Sequence, residues 1–202
     1  DERLDRAVKR VDQVLVEQQS QAVQDAAWLS LRRDGSPAAF AVNNGQFQSD
    51  IAAGSRSIAG DGLTAVPGFL DLQVNGAVGI DLAVNPAGLW DVAAALPQFG
   101  VTAFLPTLVT CSPQTIGKAR EVIAAGPPLG WVGAVPLGWH FEGPMINAAY
   151  AGAHARRHIR TPSLEFVRSW STPTVAMVTI APELPGMGPV IRTLRGRGVV
   201  VA

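Results

Sequence analysis

The hydrophobic pattern changes character twice along the chain. Over residues 1–27, Leu4, Val8, Val11, Leu15, Ala22 and Val23 recur near a 3.6-residue period, with Asp, Glu, Arg and Gln between them. That spacing predicts an amphipathic helix with one face to bury. Residues 28–65 turn short and β-like. Apolar runs at 28–31 and 38–42 alternate with turn formers such as Asn43-Asn44-Gly45 and Asp61-Gly62. Strands so few and so short predict a small β subdomain rather than an independent core. From Val66 onward, apolar, β-branched-rich runs recur at 66–74, 101–109, 132–141, 175–181 and 198–202. Helix-forming stretches lie between them, at 86–99, 113–125, 163–169 and 189–197.

Runs that are apolar without alternation are buried on both faces, the habit of parallel strands covered by helices. Strand and helix alternating at this spacing predict an α/β architecture, either a doubly wound sheet or a (β/α)8 barrel. The polar residues decide between them, because they gather where the strands end. Asp71, Gln73 and Asn75 close the first run, Thr107 and Thr110 the second, His140 and Glu142 the third, and Glu183 follows the fourth. Chemistry at the C-terminal mouth of successive strands belongs to a barrel. A dinucleotide fold would place G-x-G-x-x-G after its first strand, and Asn75-Gly76-Ala77-Val78-Gly79 lacks that spacing. The expected fold over 66–202 is therefore a partial (β/α)8 TIM barrel with about five of its eight strands. A helix (1–27) and a small β segment (28–65) precede it.

Composition narrows the partners more than the fold. With 48% hydrophobic and 16% charged residues in 202, the chain is globular rather than disordered. Sixteen basic and sixteen acidic residues cancel, so no field draws the molecule to nucleic acid or an anionic membrane. A single cysteine excludes an internal disulfide and a cysteine-based zinc site, and Cys111 reads as a buried thiol. The first residues carry no apolar leader, and no stretch approaches the ~20 apolar residues of a membrane span. A cytoplasmic location is the expectation.

Glu142 is the first candidate for chemistry. A carboxylate at the end of an apolar strand, beside Gly143-Pro144, is costly to bury alone. Its partner is either a divalent metal or an arginine or backbone donor, and the residues alone leave both open. His140 lies two positions earlier, on the same face of the strand, and reads as a positioning or structural residue. His154 and His158 are spaced i, i+4, but Arg156 and Arg157 intervene and no H-E-x-x-H is present, which disfavours a zinc pair. His158 with Arg156, Arg157 and Arg160 reads as a basic turn, either solvated or attractive to a phosphate. No G-x-S-x-G or P-loop appears, so serine-type acyl transfer has no support.

These residues carry a family resemblance. The segment from Val66-Pro67-Gly68-Phe69-Leu70-Asp71 to Gln73-Val74-Asn75-Gly76 resembles the first strand of the amidohydrolase superfamily, and within it the N-acetylglucosamine-6-phosphate deacetylases. Gly100-Val101-Thr102-Ala103-Phe104-Leu105-Pro106-Thr107-Leu108 resembles the second strand of that family. Gly138-Trp139-His140-Phe141-Glu142-Gly143-Pro144, with Ile146-Asn147 and Gly152-Ala153-His154, resembles the third strand and its loop, and Thr179-Ile180-Ala181-Pro182-Glu183 the fourth. Four segments in the right order and spacing are specific where one is weak. The resemblance spans roughly 62–202. Residues 1 to about 50 do not resemble the family's usual β-sandwich start.

The resemblance implies a hydrolase that removes the acetyl group from N-acetylglucosamine 6-phosphate, giving glucosamine 6-phosphate and acetate. It makes Glu142 the carboxylate ligand of one divalent metal, zinc by default, and makes Ala153 and His154 substrate-binding residues. Gln73 and Asn75 stand where many amidohydrolases carry His-x-His. Amides are poor ligands, so the pair implies a one-metal site beside which they hydrogen-bond to water or substrate. The family's other metal ligands, two histidines, and its catalytic Asp come from later strands and are expected past Ala202. The segment alone is thus expected to be inactive. A homodimer is the implied assembly. The family has a basic residue before the Gly of the third loop, whereas Tyr150-Ala151 precede Gly152 here. That departure keeps another N-acyl amino sugar or a cyclic amide open as substrate. A different class, a non-catalytic domain docking through its N-terminal helix, is the second alternative.

Overall fold

The computed structural model describes residues 68–170 and 173–202, together with the backbone of four strands between 27 and 58. The predicted helix over 1–27 lies outside the described residues except for Ala27, which opens a strand. The chain divides into two compact units, 1–68 and 69–202.

In the first unit, β1 (Ala27–Arg33) and β2 (Ser36–Asn43) form an antiparallel pair, extended by β3 (Gln46–Gln48) against β2. Strand β4 (Arg56–Ile58) joins β1 in parallel, giving the order β3-β2-β1-β4.

The second unit opens with β5 (Phe69–Val74) and a two-residue ribbon, β6 (Gly76–Ala77) against β7 (Ile80–Asp81). Helix α1 (Leu89–Ala95) leads through a 3-10 turn at Leu96–Phe99 into β8 (Val101–Val109). Gly100 closes that turn with φ +80°, a conformation that suits glycine, and donates its N–H to the Pro97 carbonyl. Helix α2 (Pro113–Ala125) starts where sequence rules place it, with Pro113 in its first turn and the Ser112 hydroxyl accepting from Thr115 N at 3.1 Å. Then come β9 (Val135–Pro136), β10 (Trp139–Glu142), α3 (Leu164–Trp170), β11 (Val175–Thr179), α4 (Met187–Gly196) and β12 (Val200–Val201).

The strands stand in the order β5-β8-β10-β11-β12, every neighbour parallel, with β9 also on β8. Consecutive parallel neighbours with intervening helices make this a partial (β/α)8 barrel, as the apolar runs predict. Strand β10 is central in this order, and β8, between β5 and β10, is buried almost end to end. Pro106 sits inside this interior strand, where proline removes a ladder hydrogen bond. Its partner position on β5 coincides with a slip in register between Asp71 and Val74. The third predicted strand, 132–141, is in fact two. Pro136 offers no N–H, and Gly138 at φ +126° turns the backbone so closely past β11 that an added Cβ would lie 2.9 Å from that of Ala176. The chain thus leaves β9 and re-enters the sheet as β10.

The core packs Phe104, Leu108, Trp139, Phe141, Met145 and Val178 from the sheet and its loops against Val92, Ile116, Val167, Val190 and Leu194 from the helices. Trp139 is fully buried, and its indole N–H donates to the Ala119 carbonyl of α2 at 2.9 Å. One residue thereby ties β10 to the helix layer. His140, next in sequence, lies on the opposite face of the strand.

Candidate active site at the strand ends

Glu142 is the last residue of β10 and points to the mouth of the half-barrel. One carboxylate oxygen, Oε2, accepts a hydrogen bond from Gln73 Nε2 of β5 at 3.0 Å. The other, Oε1, lies 3.7 Å from His154 Nε2. Residues 69 and 12 positions away in sequence therefore meet at one carboxylate, because parallel strands bring all their C-terminal ends to one side. The Glu142 side chain is 24% exposed and that of His154 13%, so the group is screened but open to a ligand.

His154 is held from behind. Its Nδ1 lies 2.8 Å from the Thr110 hydroxyl and also faces the Thr110 N–H at 3.4 Å. That hydroxyl is in reach of the Glu142 carbonyl at 3.3 Å. Thr110 was legible as a strand-end polar residue, but its hold on His154 was not. The signal for it is Gly143, whose φ is +88° and whose added Cβ would collide with the Thr110 hydroxyl. Glycine there lets the loop pass over the end of β8.

His140 is 1% exposed and lies one layer below the mouth. Its Nδ1 is 3.1 Å from the Thr107 hydroxyl and its Nε2 2.8 Å from the Thr179 hydroxyl. Burial holds its pKa below the usual imidazole value, against the opposing pull of the Glu142 charge and the Leu72 carbonyl.

The remaining candidates are placed as follows. Asn75 is exposed just beyond β5, where its carbonyl accepts from Leu82 N. Ala153 is exposed in the loop next to His154. His158 ends a 3-10 turn and interacts with its own neighbour, Arg157 Nε, at 3.2 Å, so it does not join His154 in a metal pair. Arg156 donates to the Ala148 carbonyl, and the Arg160 guanidinium stacks over Phe166 at 4.8 Å. The basic turn is thus engaged locally. Asn147 Nδ2 donates to Glu183 Oε1 at 3.0 Å, and this bond holds the Glu183 carboxyl below its usual range. Cys111 is partly buried, and desolvation pushes its thiol up to about 11.

Whether these residues suit a divalent metal is a matter of donor chemistry. The Glu142 carboxylate is a hard anionic donor and the adjacent imidazole a second plausible one, so they fit part of such a site. Among the described residues no group of three His, Cys, Asp or Glu comes together, so they do not complete a coordination sphere.

A parallel, helix-covered sheet whose polar residues converge at the C-terminal ends defines the class: the first strands of a (β/α)8 barrel with its site at the mouth. The relatives define the particular family. The chain is 35% identical over 168 residues to human N-acetylglucosamine-6-phosphate deacetylase, covering 77% of this chain and 40% of the human one. It is 36% identical over 155 residues to the Caenorhabditis elegans deacetylase of the same name, covering 70% and 37%. Among solved structures, a mutant of the Mycobacterium smegmatis deacetylase in complex with N-acetyl-D-glucosamine-6-phosphate superposes with a TM-score of 0.66 at 26% identity, covering 88% of this chain and 48% of that one. The Thermotoga maritima deacetylase gives 0.63 at 28% identity, covering 88% and 47%. No family-level sequence model matches. The chain belongs with the N-acetylglucosamine-6-phosphate deacetylases, and it spans about 40% of the length of the curated relatives it matches.

Proposed function

We propose that the mouth of this half-barrel forms part of a metal-dependent site that removes the acetyl group from N-acetylglucosamine 6-phosphate. The observation that carries the reading is the convergence of Gln73, Glu142 and His154 from three separate segments on one partly screened carboxylate. Glu142 is the metal's carboxylate ligand in this reading, and a divalent ion such as zinc would polarise an amide carbonyl and activate water. Gln73 orients the carboxylate. Asn75 would lie near such an ion without ligating it, since an amide is a poor donor. His154, pinned by Thr110, presents an imidazole edge to the sugar, with the Ala153 backbone alongside it. Catalytic zinc sites use three protein ligands. In this reading the described residues bring one, Glu142, so hydrolysis draws further donors from outside them.

The same reading takes residues 66–202 as the barrel portion, and places the activity in the cytoplasm of a homodimeric enzyme. No helix among the described residues is long and apolar enough to cross a membrane. The test is a panel of N-acetyl amino sugars with and without a 6-phosphate, offered to the metal-loaded protein. Release of acetate confined to the 6-phosphate supports the reading. Preference for another N-acyl sugar or a cyclic amide, which the Tyr150-Ala151 departure leaves open, would reassign the substrate.

A further inference from the structure

We propose that His140 is a positioning residue: a neutral imidazole fixed as its Nδ1–H tautomer, which ties strands β8, β10 and β11 together and thereby sets the Glu142 carboxylate at the mouth. The role rests on Glu142 being the ligand, as above, but the geometry of the ring stands by itself.

The tautomer follows from counting protons between the ring and its two hydroxyl neighbours. The Thr107 side chain is fully buried, and its hydroxyl donates its one proton to the Leu105 carbonyl at 3.1 Å. That oxygen can then only accept, so the His140 nitrogen facing it, Nδ1, carries the hydrogen. In a neutral ring Nε2 is left with a lone pair, and the Thr179 hydroxyl, 2.8 Å away, supplies the proton. In this arrangement the Thr107 hydroxyl, both ring nitrogens and the Thr179 hydroxyl are all paired.

The ring sits just past an irregularity in the backbone ladder. Pairing of β10 with β11 slips between Trp139 and His140, and from His140 to Glu142 it runs in register with both neighbouring strands. A one-residue slip would turn Glu142 away from the mouth and into the opposite layer. The two threonines flank His140 from both neighbouring strands. Thr107 is its register partner on β8, and Thr179 is the register partner of Glu142 on β11. The Leu72 carbonyl of β5 also faces the ring, next to the Gln73 that grips Glu142. One imidazole thus touches each strand that bears on the carboxylate.

The experiment uses the full chain without metal or substrate, so it can fail or succeed independently of the deacetylase reading. Long-range 1H–15N spectra of histidine-labelled protein should show His140 as a single Nδ1–H tautomer with a slowly exchanging proton. The Nε2–H form, or an averaged ring, would overturn the proposal. Thr179→Val keeps the volume but removes the donor to Nε2, and should shift the tautomer ratio roughly fivefold toward Nε2–H. An unchanged ratio would count against it. His140→Leu should release the Gln73 side-chain amide from Glu142, seen as movement of its NH2 resonances to free-glutamine positions, and His140→Asn, which restores a donor near Nδ1, should bring them back. If the leucine variant folds and Gln73 stays put, the ring is structural only. If it fails to fold, the tautomer and the Thr179→Val result decide.

Discussion

Glu142 is useful because its charge is neither buried outright nor left in open water. Gln73 neutralises no charge; it fixes the direction of one oxygen and leaves the other toward His154. Glu142→Gln keeps the size and removes the anionic donor. It should lower divalent-metal affinity by at least about tenfold, read by calorimetry with zinc, with little change in thermal stability. Equal affinity in the variant would remove Glu142 from the metal. Cys111 tests the local dielectric at the foot of α2. With its thiol pushed up to about 11 by desolvation, little thiolate exists at neutral pH, so alkylation by iodoacetamide should stay slow through pH 9 and rise only above it. Rapid labelling at pH 7 would mean that the thiol is solvated. These residues were legible in sequence as types at strand ends. The hydrogen bonds from Thr107, Thr110 and Thr179 were not, because threonine at a strand end looks the same whether it faces water or a buried imidazole.

At the level of the elements, the recurrence of apolar runs foretells the parallel sheet and the order of its strands. Long, unalternating runs flanked by proline and glycine have few other solutions. The break between β9 and β10 escapes that pattern, since the run 132–141 is nearly all apolar and is divided by Pro136 and the conformation of Gly138. The loop after β10 depends on a second glycine. Gly143→Ala would force a side chain into positive φ, at about 1–2 kcal/mol, and drive its Cβ into the Thr110 hydroxyl. Chemical denaturation should show that loss, and the His154 ring resonances should move as Thr110 shifts. A variant as stable as wild type, with His154 undisturbed, would mean that the loop does not rely on this close passage. Trp139→Ala would empty a fully buried indole and remove its bond to the Ala119 carbonyl, with an expected loss of about 3–5 kcal/mol in chemical denaturation.

For the whole molecule, both outermost strands of the sheet carry exposed apolar side chains. Phe69, Leu70 and Leu72 line β5, and Val200 lies on β12. Such edges favour association. The purified 202-residue chain should therefore self-associate with rising concentration, and Leu72→Lys should reduce this in light scattering. A monodisperse monomer at all concentrations would show these faces to be covered. The family is legible in the sequence because its motifs lie on four consecutive strand ends, each short but fixed in order. What could not be read there is how far a set of donors spread over a whole barrel is completed by this portion.

The central claim is that the Glu142 mouth serves deacetylation of N-acetylglucosamine 6-phosphate, and the most direct measurement is acetate release from that sugar by the protein at the length its source makes it. The account predicts release that needs a divalent metal, stops with chelator and falls at least about a hundredfold in Glu142→Gln, with N-acetylglucosamine lacking the phosphate a poor substrate. No acetate from the fully metal-loaded protein, or release that is unchanged in Glu142→Gln, would contradict it.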